Sequence, residues 1–167
     1  DIVLERKVRA AVQGGESLSA FVASVAAATP APGGGSVAAH AAALGAALAQ
    51  MVTGLTIGKK KYAGVEPEMK QLALQAAALV SELTALVKRD AEAYSQVMAP
   101  YKIPGENPAD APKKQEAVDA ALLGAAEVPL ETARACVQVL HVVSAVAERG
   151  NTNAVSDAGV AALLAEA

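Results

Sequence analysis

An all-α fold, an alanine-rich bundle around one long buried central helix, is what this sequence predicts. Three observations carry that prediction. Of 167 residues, 53% are hydrophobic but only 2% are aromatic, so alanine, valine and leucine must fill the interior. Small side chains let backbones approach closely, which suits packed helices better than a sandwich of strands. Residues 36–57 hold no charged side chain, and a helix that is apolar all round belongs at the centre of a bundle. Elsewhere the apolar residues recur at steps of three and four, and no segment alternates as a strand does. The length suits one domain with a sizeable core.

Taken in order, Ile2 to Gln13 reads as a short amphipathic stretch closed by Gly14-Gly15, and residues 1–16 as an N-terminal helix or linker. Asp1 in place of methionine suggests a domain cut from something longer. The helical domain then spans 17–167, with Ser17 as the N-cap of a helix from Leu18 to Ala28. Thr29-Pro-Ala-Pro-Gly-Gly-Gly35 breaks the chain, and Ser36 opens the central helix, which runs to Ile57. That helix has the length of a membrane span. Its alanine and glycine content, its His40, Gln50, Thr53 and Thr56, and the lack of aromatic anchors at its start favour a bundle interior at a subunit interface instead. Gly58-Lys59-Lys60-Lys61-Tyr62-Ala63-Gly64 is a basic loop bounded by glycines. Pro67 fits a first helical turn, with Glu66 and Glu68 at the positive end of the dipole. That third helix runs to about Ala99 and stops at Pro100. Pro104, Pro108 and Pro112 mark a loop, and a fourth helix from Pro112 to Glu148 should break or kink at Pro129. Gly150-Asn151-Thr152-Asn153 interrupts the chain before a last helix, still apolar at Ala167, which suggests that a further helix follows.

Composition narrows the function. The net charge is −3 with one dense basic cluster, and the scarcity of aromatics removes the usual base-stacking platform, so nucleic-acid binding is not expected. No membrane association is expected either. Cys136, the one cysteine, forms no internal disulfide, and the chain opens without a secretory signal. Both fit a cytoplasmic protein. Two histidines and one cysteine make a zinc site improbable. His40 and His141 read as packed, hydrogen-bonded residues.

Candidate chemistry gathers at four places. A glycine loop feeding a helix presents backbone N–H groups at the positive end of the dipole, suited to an anionic or carbonyl-bearing ligand. Gly34, Gly35 and Ser36 occupy that point, Ser36 as N-cap or ligand contact; a tight entry between packed helices would explain the glycines equally simply. In the third helix Leu79, Leu83, Leu86, Asp90, Ala93 and Val97 share one stripe, so Asp90 interrupts a face that should be buried. A buried carboxylate needs partners or a purpose. Lys88, Arg89 and Glu92 lie off the stripe and read as solvated. Asp157 falls near a helix start, where the dipole alone favours an acid. Lys59, Lys60 and Lys61 read either as a solvated loop or as a site for a carboxylate-bearing ligand.

Ala31-Pro32-Gly33-Gly34-Gly35-Ser36-Val37-Ala38-Ala39 and Leu55-Thr56-Ile57-Gly58-Lys59-Lys60-Lys61-Tyr62 resemble the cyclodeaminase/cyclohydrolase family of folate enzymes. Its members include the C-terminal domain of formiminotransferase-cyclodeaminase and stand-alone methenyltetrahydrofolate cyclohydrolases. Asp90-Ala91-Glu92-Ala93-Tyr94, Tyr101-Lys102-Ile103-Pro104, Val128-Pro129-Leu130 and Gly150-Asn151 with Ser156-Asp157 follow in the family's order. The resemblance covers nearly everything from Leu18 onward.

That resemblance implies an all-helical homodimer acting on tetrahydrofolate one-carbon derivatives, with no cofactor besides the folate substrate. Asp90 is then expected as general acid/base or electrostatic stabiliser, with Asp157 the second candidate. Gly34, Gly35 and Ser36 would hold the pterin or its substituent. Lys59, Lys60 and Lys61, with Tyr62 and Asn151 beside them, would bind substrate, the lysines meeting the glutamate tail, polyglutamylated or not. The segment before Gln13, with Glu5-Arg6, is similar to a linker from a formiminotransferase domain, which tilts the expectation to cyclodeaminase over cyclohydrolase. A helical dimerisation module without catalysis is the alternative of a different class.

Overall fold

The computed structural model describes residues 17–102 and 111–167. The segment at 1–16 and the proline-rich stretch at 103–110, which carries Pro104 and Pro108, lie outside the described residues. The described residues form five α-helices: α1 (Leu18–Ala26), α2 (Gly34–Thr56), α3 (Glu66–Met98), α4 (Ala111–Arg149) and α5 (Val155–Glu166). Short 3₁₀ turns at Lys60–Val65, Pro100–Lys102 and Thr152–Ala154 join them. The described residues hold no strand.

Local chemistry sets the ends. The Ser17 hydroxyl accepts the Ala20 N–H at 3.2 Å, the N-cap expected for α1. That helix ends two residues before the predicted Ala28. Pro67 sits in the first turn of α3, where its missing N–H costs nothing. Gly58 adopts φ +77, a left-handed turn open to glycine, and its N–H donates to Glu66 at 3.2 Å. α2 therefore stops and reverses within four residues.

Two expectations need correction. Ser36 is not the cap of α2. The helix begins at Gly34 with Gly33 as N-cap, because Ser36 turns its hydroxyl inward to a carboxylate partner. Pro129 does not break α4, which runs continuously for 39 residues through it. The proline forfeits one backbone bond in a long helix, while Val128 and Thr132 on either side are buried in the bundle, and the Thr132 hydroxyl donates to the Val128 carbonyl at 3.1 Å.

Packing follows an up-and-down course. Ser36 at the start of α2 meets Asp90 late in α3, so these two helices run antiparallel. Arg149 at the end of α4 pairs with Glu68 at the start of α3, 3.0 Å away, and α4 is likewise antiparallel to α3. α5 returns along α2. A Cβ on Gly45 would sit 2.8 Å from the Ala161 carbonyl and 3.6 Å from the Ala165 nitrogen, so α2 and α5 touch backbone to backbone, and only glycine fits there.

The core is the alanine–valine–leucine interior that composition requires. α2 contributes Ala39, Ala42, Ala46, Ala49 and Val52, α3 Met69, Leu83 and Leu86, and α4 Val139 and Val146. Burying each large side chain stabilises by about 1.5–3 kcal/mol. The hydroxyls that enter this core are satisfied locally: Thr53 donates to Gln50 at 2.6 Å and Thr56 to Val52 at 2.7 Å. α2 is long and apolar enough to cross a membrane by length and composition, yet α3, α4 and α5 cover one side of it. The other side stays open. Its burial is thus half of what an apolar-all-round reading predicts, and the exposed half carries Val37, Leu44, Met51 and Leu55.

Candidate active site

Asp90 lies where its stripe predicts. Leu79, Leu83, Leu86 and Ala93 are buried, while Asp90 and Val97 are half-buried on the same face. The carboxylate stands over the first turn of α2. Its Oδ2 accepts the Ser36 hydroxyl at 2.7 Å, and Ser36 itself is fully buried. Oδ1 rests against Gly35 so closely that a Cβ there would overlap it and lie 2.7 Å from Cγ. The glycine at 35 is therefore a space requirement of the carboxylate. An anionic group over the N-terminus of a 23-residue helix also meets the positive end of its dipole.

Beside Asp90 opens a cavity of about 250 Å³ lined by Pro30, Gly33, Ala93, Tyr94, Val97 and Ala125. The Ala31–Pro32 bond on its rim is cis. A shallower groove of about 540 Å³ continues along Pro32, Glu92, Ser95 and Gln96. Tyr94 offers an aromatic face on the cavity wall. Sequence reading overlooked it as a site residue, although it sits one helical turn beyond Asp90 in a chain with only three tyrosines.

The lysine loop forms a second cluster. Lys59, Lys60 and Lys61 are exposed, and Tyr62 is half-buried among them. The Tyr62 oxygen accepts the Thr152 N–H at 3.0 Å, lies 3.2 Å from the Thr152 hydroxyl and 3.5 Å from Asn151 Oδ1. The Thr152 hydroxyl first, then its N–H, and more weakly Lys61 pull the phenol down to about 8. The Lys61 ammonium also stands 5.1 Å from the ring centre. Thr152, which organises this cluster, was missed in the sequence, where Asn151 stands out as a binding candidate and Thr152 reads only as part of the break before the last helix.

Asn151 is a clamp. Its N–H donates to the Thr56 hydroxyl at 2.9 Å, its Nδ2 to the Leu55 carbonyl at 3.0 Å, and its Oδ1 accepts the Asn153 N–H at 3.1 Å. Both ends of its amide are thus engaged in tying the α4–α5 turn to the end of α2. Asp157 lies in the first turn of α5, at this end of the bundle and away from Asp90.

So the predicted site residues divide into two groups. Gly34, Gly35, Ser36 and Asp90 gather at the start of α2; Lys59, Lys60, Lys61, Tyr62, Asn151 and Asp157 gather around its end. Ser36 and Thr56 are separated by 20 positions of one helix, or about 30 Å at 1.5 Å per residue. Within one chain they are separate patches.

Both histidines depart from expectation. The His40 ring packs on Phe21, centroids 4.7 Å apart, but its buried Nε2 finds no hydrogen-bond partner among the described residues. His141 is exposed. Among the described residues no three histidine, cysteine, aspartate or glutamate side chains gather as a metal site would need.

Comparison with known proteins supplies the family. The family model for formiminotransferase-cyclodeaminase matches residues 17–167. The chain belongs to the formiminotransferase-cyclodeaminase family. A methenyltetrahydrofolate cyclohydrolase of Methylorubrum extorquens is 42% identical over 154 residues, covering 92% of this chain and 74% of that protein. A formimidoyltransferase-cyclodeaminase of Rattus norvegicus is 39% identical over 146 residues, 87% of this chain but 27% of that protein. The crystal structure of a formiminotetrahydrofolate cyclodeaminase from Thermotoga maritima superimposes with a TM-score of 0.80 at 36% identity, over 90% of this chain and 71% of that one. The all-helical fold is thus shared with that cyclodeaminase, and this chain spans about a quarter of the rat relative's length.

Proposed function

We propose that this family member is an enzyme of folate one-carbon chemistry, a cyclodeaminase that converts 5-formiminotetrahydrofolate to 5,10-methenyltetrahydrofolate and ammonia. The observation that carries the reading is the Asp90 carboxylate, held by the buried Ser36 hydroxyl over the α2 N-terminus and facing a small cavity.

The chemistry needs such a group. N10 of the substrate attacks the cationic formimino carbon and gives a tetrahedral carbon bonded to N5, N10 and an amino group. The N10 proton must reach that amino group before it can leave as ammonia, and the remaining lone pairs close the methenyl bridge. One carboxylate beside the carbon can take the first proton, deliver it to the departing nitrogen, and offset the positive charge throughout. Ser36 fixes which oxygen is engaged, and Gly33 and Gly34 leave the backbone bare for a flat ring to approach. Tyr94 offers that ring a stacking face.

Cyclohydrolysis is the second reading, favoured by the 42% identity to the Methylorubrum cyclohydrolase. There, water adds to the methenyl carbon and the N5–C bond opens, passing through a tetrahedral carbon of the same kind. The same carboxylate serves. A formiminotransferase domain as covalent partner belongs to the cyclodeaminase reading and is supported by the rat relative, of which this chain covers 27%; a glutamate tail on the substrate is supported by the lysine loop.

Spectrophotometry separates the two reactions. Appearance of the methenyl chromophore from the formimino compound, with equimolar ammonia, is the expected result. Loss of methenyl faster than its hydrolysis in buffer would assign the cyclohydrolase, and inactivity of folded protein on both would remove the folate reading.

A further inference from the structure

Pro129 lies inside a continuous 39-residue helix, where proline is the least favourable residue. Packing of its neighbours explains how α4 survives it, but not what the proline does. Its consequence falls one turn back. A carbonyl inside an α-helix accepts the N–H four residues on, and proline has none to give. For the Ala125 carbonyl that partner is residue 129. The oxygen is therefore left without its helical donor, and the pyrrolidine ring crowds it away from the helix axis. Ala125 is half-buried and packs against the core, and it forms the α4 wall of the cavity that holds Asp90. Gly124 beside it has no side chain, and a Cβ there would meet nothing within 4 Å, so the backbone is bare at this point.

That cavity, of about 250 Å³, is rich in acceptors. Asp90 is the one charged residue among those described around it, and no lysine or arginine lines it. The carboxylate comes from α3 and Ala125 from α4. At the rim, the Pro30 carbonyl lies 3.6 Å from where a Gly33 Cβ would stand. A carboxylate with carbonyl oxygens near it and no cationic side chain suits one kind of guest, a cation that carries N–H groups. The carboxylate offsets its charge, and a carbonyl takes one of its hydrogens.

We propose that Pro129 frees the Ala125 carbonyl to accept an N–H from an amidinium-type cation held between it and Asp90. Ala125 then touches the ligand through its backbone, and Pro129 is a positioning residue. The cyclodeaminase reading identifies the ligand nitrogen as that of the formimino group; the acceptor itself rests on the structure alone. In that reaction the carbonyl takes no proton. It holds one hydrogen of the formimino nitrogen while N10 attacks, and keeps that hydrogen bond when the nitrogen has become the amino group of the tetrahedral carbon. Rotation about the C–N bond is thereby fixed, which leaves the nitrogen lone pair free to meet the proton that Asp90 has taken from N10. The C–N bond then breaks and ammonia departs.

Pro129→Ala and Pro129→Gly each restore the N–H and return the carbonyl to the helix. Alanine is the better helix former, so the urea midpoint of Pro129→Ala should be the higher of the two, while both should change binding alike. The probe is the formamidinium ion, a small cation with the formimino carbon and its N–H groups, titrated into isotope-labelled protein and followed by NMR at the Gly35 and Asp90 amides. Wild type is expected to saturate. Both variants are expected to bind about tenfold more weakly, the loss of one hydrogen bond to a charged group. Tetramethylammonium, a cation without N–H, should not distinguish the three proteins. A proline with a structural role alone would move the midpoints and leave formamidinium affinity unchanged. Equal formamidinium affinity in the three folded proteins, or no binding to wild type, therefore overturns the acceptor. The expected binding from a wild type that turns over neither folate would support the acceptor and remove the cyclodeaminase reading. Wild-type turnover with equal affinities would do the reverse.

Discussion

A methyl group at position 35 would occupy the space of the Asp90 carboxyl group. Gly35→Ala is therefore expected to push the carboxylate off its Ser36 bond while favouring the helix by up to about 1 kcal/mol through alanine's higher propensity. The outcome is a folded protein whose kcat falls by about 10²-fold, the low end of what a positioned acid/base supplies; circular dichroism and steady-state kinetics on one preparation check both halves. Tyr62 allows a pH experiment. Its folded-state pKa lies near 8, below the ordinary 10, because Thr152 and Lys61 favour the phenolate. The sign is that of an acid with a depressed pKa: the favourable contribution is complete above about 10 and is lost as pH falls through about 8. Ultraviolet titration should show one phenolate forming near pH 8, absent in Tyr62→Phe and moved up towards 10 in Thr152→Val. Asp90 was legible in the sequence because it breaks an apolar stripe. Its partner was legible as a residue but not in its role, since nothing local distinguishes a capping serine from one that reaches across 54 positions of chain to a carboxylate.

At the level of the helices, local signals settled most boundaries. Ser17, Pro67 and Gly58 each act through the backbone geometry of their own turn, which is why α1 and α3 begin and α2 ends close to where the sequence indicates. Pro129 illustrates the opposite case. Its local penalty is real, but tertiary packing of Val128 and Thr132 outweighs it and α4 continues. The open side of α2 was also illegible, because a helix apolar on every face does not declare which face its own bundle will cover. Gly45 tests the α2–α5 contact. Gly45→Val places a branched side chain against the Ala161 carbonyl and is expected to destabilise by about 1–3 kcal/mol, as overpacking does, read from urea denaturation. Unchanged stability would mean that the two backbones do not meet there.

Across the described residues, one long helix organises both the core and the candidate chemistry: its buried face builds the bundle, and its two ends carry two separate patches of candidate site residues. Residue spacing alone could not reveal that separation, because it depends on how α3 and α5 fold back along α2. The homodimer that the family resemblance implies is tested at the exposed side of α2: Leu44→Glu puts charge among Val37, Met51 and Leu55 and is expected to leave helicity intact and to convert a sedimenting dimer to monomer. An unchanged mass would place any interface elsewhere. The central claim, that Asp90 performs folate one-carbon chemistry, has a more direct test. Wild type and Asp90→Asn are compared for methenyl formation from 5-formiminotetrahydrofolate and methenyl loss from 5,10-methenyltetrahydrofolate, with circular dichroism on the same samples. The account predicts wild-type turnover in one direction and at least a 10²-fold loss in the variant at unchanged helicity; equal turnover by the two folded proteins would contradict it.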